Sequence, residues 1–183
     1  LCNKSRMGFY KVLKEKAGAN IKIKNLRKSS DNGEYVGSII AKSSSLKPIN
    51  CPKELIPSLV DELPLLFVIA SLTKGISKFK QISELTKKES NRIDEMRKVL
   101  IQAGIKCKST KDSMIIYGKN KAETQNKSIL VKTKGDHRIC MSSVIFSLVT
   151  GIKTKIENFE TVNTSFPGFI RLIKHLGGKV EIK

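Results

Sequence analysis

The sequence predicts an α/β chain built from repeated units, and two observations carry that expectation. Residues 12–23 (VLKEKAGANIKI), 99–109 (VLIQAGIKCKS) and 172–182 (LIKHLGGKVEI) each run from a helical apolar stripe through a glycine into an alternating, strand-like segment. A glycine there suits the left-handed residue that ends a helix. Residues 71–82 (SLTKGISKFKQI) and 147–159 (SLVTGIKTKIENF) share a second order of helix end, glycine and strand. Thirteen residues beyond Gly75 lies Lys88 and thirteen beyond Gly151 lies Thr164, so KKES and NTSF occupy equivalent loops, each ahead of its own helix. The implied unit is strand, helix, strand, strand, helix, repeated with variations. Neither GxGxxG nor GxxxxGKS/T occurs, which sets a nucleotide-binding doubly wound sheet aside.

The elements follow in chain order. Residues 21–43 and 105–119 read as hairpins with turns at SDNGE and TKD. DELP (residues 61–64) opens an apolar helix, with Asp61 suited to the N-cap and Pro64 to the first turn. Its run LPLLFVIASL is too short to span a bilayer and reads as a buried core helix. A helix beginning at Asn91 carries the stripe Ile93, Met96, Val99 and Leu100, with Ser90 as its expected cap. Residues 118–127 should form an exposed loop and 128–135 a strand. GDHRICM (residues 135–141) then opens the next long helix behind an Asp136 cap. His175, late in the last helix, is favourable there for electrostatic reasons alone.

The net charge of +19 invites a nucleic-acid reading. The basic residues argue against it: 35 less six arginines leaves 29 lysines scattered end to end, with no Trp and only 5% aromatics to stack on bases. The four cysteines form no CxxC pair and read as reduced thiols. The chain starts at Leu1 rather than Met, from which an N-terminal portion is expected to be missing.

Charge at the helix entrances is harder to explain. A helix N-terminus is a positive pole, yet Lys88 and Arg92 flank one, and His137 and Arg138 sit at another. Lys88 and Arg92 lie four apart and could reach one anion. Asp61, Lys88, Glu89, Arg92, His137 and Arg138 together would form an anionic small-molecule site in which two carboxylates divide into proton donor and acceptor.

In this order and at these separations, DELP, KESNRI, GDHRICM and TSFPGF resemble the EPSP synthase family, the 3-phosphoshikimate 1-carboxyvinyltransferases. The likeness runs over essentially the whole chain, from NKSRMGFYKVLKEKAGANI to LGGKVEIK. It implies the enolpyruvyl transferase fold, an inside-out α/β barrel of repeated βαβαββ units in two similar domains that close over the substrates. Residues 1–183 would be only the C-terminal portion, with units near 1–75, 76–150 and 151–183 and the N-terminal half absent.

The implied reaction transfers the enolpyruvyl group of phosphoenolpyruvate to the 5-hydroxyl of shikimate 3-phosphate and releases phosphate, with no metal or organic cofactor. The implied partners are these two small molecules and the missing N-terminal domain. The reduced cysteines point to the cytoplasm, the scattered lysines and the short apolar run to no nucleic-acid or membrane partner, and a monomer is expected; this segment alone should be inactive or nearly so.

Carried over by motif, Asp61 resembles the proton acceptor that also holds ring hydroxyls. Glu89 resembles the acid near the methylene carbon, Lys88 a shikimate 3-phosphate ligand, and Arg92 and Arg138 the two phosphoenolpyruvate ligands. His137 is adjacent to the site, without an assigned role. Three positions depart from the pattern: Asn91 replaces a carboxylate of many members, Thr164 a lysine of many members and so marks the branch that carries threonine there, and Glu84 stands where some members have an asparagine. Two rivals stand beside this reading. KESNR, DHR and SFPGF disfavour UDP-N-acetylglucosamine enolpyruvyl transferase, and the unclustered arginines disfavour a non-catalytic basic nucleic-acid-binding domain.

Overall fold

A computed structural model describes residues 2–29, 33–119 and 128–181. The expected loop at 118–127 and the tip of the SDNGE turn lie almost wholly outside the described residues. Three blocks follow one another. Helix α1 (Gly8–Lys11) widens into a π-helical turn over Val12–Lys16 and leads into β1 (Asn20–Lys28) and β2 (Tyr35–Lys42). These strands pair antiparallel from Asn20 with Lys42 to Lys28 with Tyr35, and the register slips between Lys24 and Arg27. Asn25 takes a φ of 54° within that bulge.

The second block holds α2 (Leu63–Ser71), β3 (Gly75–Lys80), α3 (Arg92–Gln102), β4 (Lys106–Thr110) and β5 (Ser113–Gly118). Its antiparallel sheet has the order β3-β5-β4, and Asn50 adds a parallel bridge to Lys78 at the β3 edge. In the third block β6 (Ser128–Lys132) and β7 (Lys153–Glu157) pair in parallel across α4 (His137–Thr150), and α5 (Phe169–His175) follows.

The predicted helix ends are present: Gly18, Gly104 and Gly177 have φ of 75°, 74° and 88°. One expected strand is missing. Residues 178–181 form no strand although Val180 packs inward: a strand needs a partner for its backbone N–H and C=O groups, and among the described residues no strand is paired with this segment.

The core lies between the three-stranded sheet and α2, α3 and α4. Leu63, Leu66 and Phe67 of α2 meet Phe79 of β3, Met96 and Leu100 of α3, Met114 and Ile116 of β5 and Phe146 of α4, all fully buried. The Phe67 and Phe79 rings cross edge to face with centroids 5.0 Å apart. Among the described residues no helix is long and apolar enough to cross a membrane. A smaller core joins Cys140, Val162, Phe169 and Ile173. All four cysteines are free thiols, and burial pushes Cys51 up to about 11 and Cys107 and Cys140 up to about 12. The same packing sets the entrances of α2, α3 and α4 side by side.

Gly118 ends β5 against the last turn of α2, where a Cβ would collide with the carbonyl oxygens of Ala70 and Thr73. Backbone cannot yield as a side chain does. Gly118→Ala should therefore cost about 1–3 kcal/mol, read as a lower urea midpoint with unchanged slope.

Candidate active site

The cluster begins with two helix caps. Asn91, not Ser90, caps α3, its side-chain oxygen accepting from the Asp94 N–H at 3.2 Å. Ser90 is thereby turned the other way and donates its hydroxyl to Asp136 Oδ2 at 2.9 Å. Asp136 caps α4 as expected, its Oδ1 accepting from the N–H of Arg138 at 2.9 Å and of Ile139 at 3.4 Å. Its second oxygen also accepts from Arg92 Nε at 2.9 Å. A single carboxylate, 0% exposed, thus joins the starts of α3 and α4.

Arg92 is the other hub. Its side chain is 2% exposed and meets three carboxylates: Asp136 through Nε, Asp61 Oδ1 through Nη1 at 3.2 Å, and Glu89 Oε2 through Nη2 at 2.6 Å. The cation at this helix entrance is therefore neither solvated nor opposed to the dipole without relief, because the protein's own anions surround it.

Asp61 does not cap α2. The N-cap there is Glu62, without a side-chain cap bond, while Asp61 lies in the preceding 3-10 turn over Val60–Glu62. Four cations draw the Asp61 carboxylate away from the helix end. Oδ1 faces Arg92 and Lys88 Nζ, the latter at 3.6 Å; Oδ2 accepts from Arg6 Nη2 at 3.0 Å and lies 4.0 Å from Arg138 Nη2. Arg138 Nη1 donates to the Asp61 carbonyl at 3.2 Å and to Glu62 Oε1 at 3.3 Å. Lys88 also holds Glu84 at 2.7 Å, and His137 Nδ1 lies 3.9 Å from Glu89 Oε1.

The structure thus gathers Asp61, Glu84, Lys88, Glu89, Arg92, His137 and Arg138. It does not bring in Thr164, which is exposed and donates to the Thr161 carbonyl of its own turn. Three members were not legible as such. Asp136 reads in sequence only as a cap, Glu62 only as a neighbour of Asp61, and Arg6 lies 55 residues from its partner with no local signal.

Burial alone would raise the Asp61 carboxyl, but the Arg6 hydrogen bond and the charges of Arg138, Lys88 and Arg6 outweigh it and hold Asp61 below its ordinary 3.8. Burial likewise opposes ionisation of Asp136. Its bond and charge pairing with Arg92, then Ser90 and the Arg138 N–H, keep it low as well. Four cations, Arg6, Lys88, Arg92 and Arg138, stand against five carboxylates, Asp61, Glu62, Glu84, Glu89 and Asp136. The cluster is near neutral inside a strongly basic chain, so it offers preset partners for charge rather than a positive basin.

No group of three or more His, Cys, Asp or Glu is arranged to hold a metal ion among the described residues. A cavity of about 590 Å³ lies elsewhere, between β7, α5 and residues 179–181, and no member of the cluster lines it.

The EPSP synthase (3-phosphoshikimate 1-carboxyvinyltransferase) family pattern matches residues 2–173. The 3-phosphoshikimate 1-carboxyvinyltransferase of Bartonella quintana is 39% identical over 181 residues, covering 99% of this chain and 40% of that protein. The enzyme of the same name from Clostridium tetani is 38% identical over 174 residues, covering 95% and 38%. A solved EPSP synthase from Acinetobacter baumannii superposes with a TM-score of 0.82 at 35% identity over 95% of this chain and 39% of that one. A second EPSP synthase structure from the same organism gives a TM-score of 0.83 at 33% identity over 100% and 41%. The chain spans about two-fifths of the length of the curated relatives it matches.

Removing the central cation should be costly, because Asp136 would keep a buried charge without its partner. Arg92→Met is expected to lower unfolding stability by about 3–5 kcal/mol, measured by urea denaturation. Acid should act through the same carboxylates. The folded chain binds fewer protons than the unfolded one between their respective pKa values, so stability is full above the ordinary value near 3.8 and falls as pH drops through the depressed ones. Asp136→Asn should be less stable at neutral pH yet lose stability less steeply in acid, as followed by circular dichroism.

Proposed function

This chain belongs to the EPSP synthase family, and from that premise we propose that the complete polypeptide transfers the enolpyruvyl group of phosphoenolpyruvate to the 5-hydroxyl of shikimate 3-phosphate. The observation that carries the reading is the convergence of Arg92, Arg138, Lys88, Asp61 and Glu89 at the entrances of three helices. Arg92 and Arg138 bind phosphoenolpyruvate: a planar guanidinium matches a carboxylate with two parallel N–H bonds, which an ammonium cannot do. Lys88 holds the phosphate of shikimate 3-phosphate as a compact point charge.

Asp61 accepts the proton that the 5-hydroxyl loses as its oxygen bonds to the central carbon of phosphoenolpyruvate, and Glu89 supplies a proton to the methylene carbon. Glu89 then takes its proton back from the methyl carbon as the C–O bond to phosphate breaks, the double bond is restored on the product, and the phosphate leaves with the proton that Asp61 had taken. The two carboxylates suit different tasks because their surroundings differ: Asp61 lies among four cations, whereas Glu89 is half exposed beside Arg92 and His137. In the free chain these cations are held by carboxylates, so substrate anions enter by exchanging with partners already in position.

The cluster presents one wall. The part of the enzyme beyond this two-fifths supplies the other, and free small-molecule substrates suit a cytoplasmic monomer. His137 and Glu84 stay beside the site through Glu89 and Lys88, without a step of their own. Thr164 takes no part in this arrangement.

The complete polypeptide should form EPSP and phosphate from the two substrates, and the 183-residue chain alone should not, as read by phosphate release. Arg138→Ala is the sharper probe, since Arg92 also holds the fold. Loss of one charge-assisted contact should lower kcat/KM for phosphoenolpyruvate by roughly 10- to 100-fold. Unchanged kinetics in that variant would remove Arg138 from the site.

A further inference from the structure

Among the described residues four cations surround Asp61, and of these Arg6 alone lies outside the motifs that the proposed function assigns to substrates. It reaches Asp61 Oδ2 at 3.0 Å, on the oxygen opposite to Lys88 and Arg92. It comes from a short 3-10 turn over Lys4–Arg6 that Asn3 caps by accepting from the Ser5 N–H at 3.0 Å and the Ser5 hydroxyl at 2.7 Å. That turn is moored to the first hairpin by the Cys2 N–H donating to the Tyr35 carbonyl. The Arg6 side chain is 51% exposed, so no core packing explains its placement.

The groups facing Asp61 are Arg6 from this turn, Glu62 beside it, Lys88 from the loop before α3, Arg92 from α3 and Arg138 from α4. When substrate anions occupy Lys88, Arg92 and Arg138, those three pairs with Asp61 weaken together. Arg6 is assigned no substrate anion, and its other carboxylate neighbour, Glu62 Oε1, lies farther off at 3.9 Å than Asp61 Oδ2 at 3.0 Å.

We propose that Arg6 is a positioning residue that keeps the Asp61 carboxylate aimed and charge-compensated once the substrates draw the other three cations away. The inference rests on the proposed function and adds a residue to it. Arg6 acts through Asp61 and touches neither reacting atom. It holds one carboxylate oxygen in place and leaves the other free to take the proton. Its influence is therefore greatest in the substrate complex, where it is the main positive partner left.

The test uses the complete polypeptide and its Arg6→Gln and Arg6→Lys variants, with kcat and kcat/KM followed between about pH 5 and pH 9. Arg6→Gln should move the acidic limb of kcat to higher pH. That shift should lower kcat about fivefold near pH 5 and less than about twofold near pH 8. The acidic limb of kcat/KM should move less, because in the free enzyme the other three cations still share Asp61. Arg6→Lys should restore the wild-type limb. Three results would overturn the proposal: an unmoved limb, an equal loss at every pH in both variants, or a rise in KM alone, the mark of direct substrate binding. Wild-type polypeptide that forms no EPSP would instead sink the function on which the proposal rests.

Discussion

Arg92 is a charge placed where charge is costly, and the rest of the site is arranged around that fact. A guanidinium at 2% exposure persists only if its N–H groups find anionic acceptors. Here Asp136, Asp61 and Glu89 provide them from the start of α4, the turn before α2 and the turn before α3. Each of these segments must therefore stand at a fixed distance from the others. The apolar layer beneath, Ile93 and Met96 of α3 against Leu63 and Phe67 of α2 and Ile139 of α4, sets that distance. Stability and site geometry are in this sense one problem, because the salt-bridge hub closes only when the core packs and the helix entrances meet.

The balance of charge within the hub also bears on how anions would be recognised. A chain of net charge +19 could attract phosphates anywhere on its surface. At the cluster, four cations face five carboxylates, so attraction at long range is largely cancelled. What the cluster offers is orientation. Donors already aligned on carboxylates need little reorganisation to accept a ligand's carboxylate or phosphate in the same geometry. An anion without the right shape gains little by displacing them.

The caps show where reading the sequence succeeds and where it fails. Asn91, Asp61, Ser90 and Asp136 are all residue types that satisfy helix N–H groups. Only Asn91 and Asp136 do so, and Asp136 also serves Arg92 and Ser90. Asp61 is taken from the helix end by cations from four other places in the chain, an interaction stronger than one neutral cap bond and invisible to local spacing. Thr164 stands apart from the cluster for a related reason: the repeat puts it in the loop equivalent to that of Lys88, but repeat position does not place a side chain among the same partners. The unformed strand at 178–181 had the right alternation but, among the described residues, no paired strand.

Sequence by itself determined most of the order of helices and strands, the glycines that end helices and the four motifs of the family, because each depends on neighbours a few residues away. The charged helix entrances were visible there too, though only as an apparent conflict with the dipole. Tertiary structure decided which atoms resolve that conflict. Arg92 meets Asp136 across 44 residues and Asp61 across 31, and Arg6 meets Asp61 across 55. No local rule reaches so far. Those of Arg92 are set by the packing of three helices on one sheet, which brings their entrances within hydrogen-bond distance, and that of Arg6 by the Lys4–Arg6 turn held to the first hairpin.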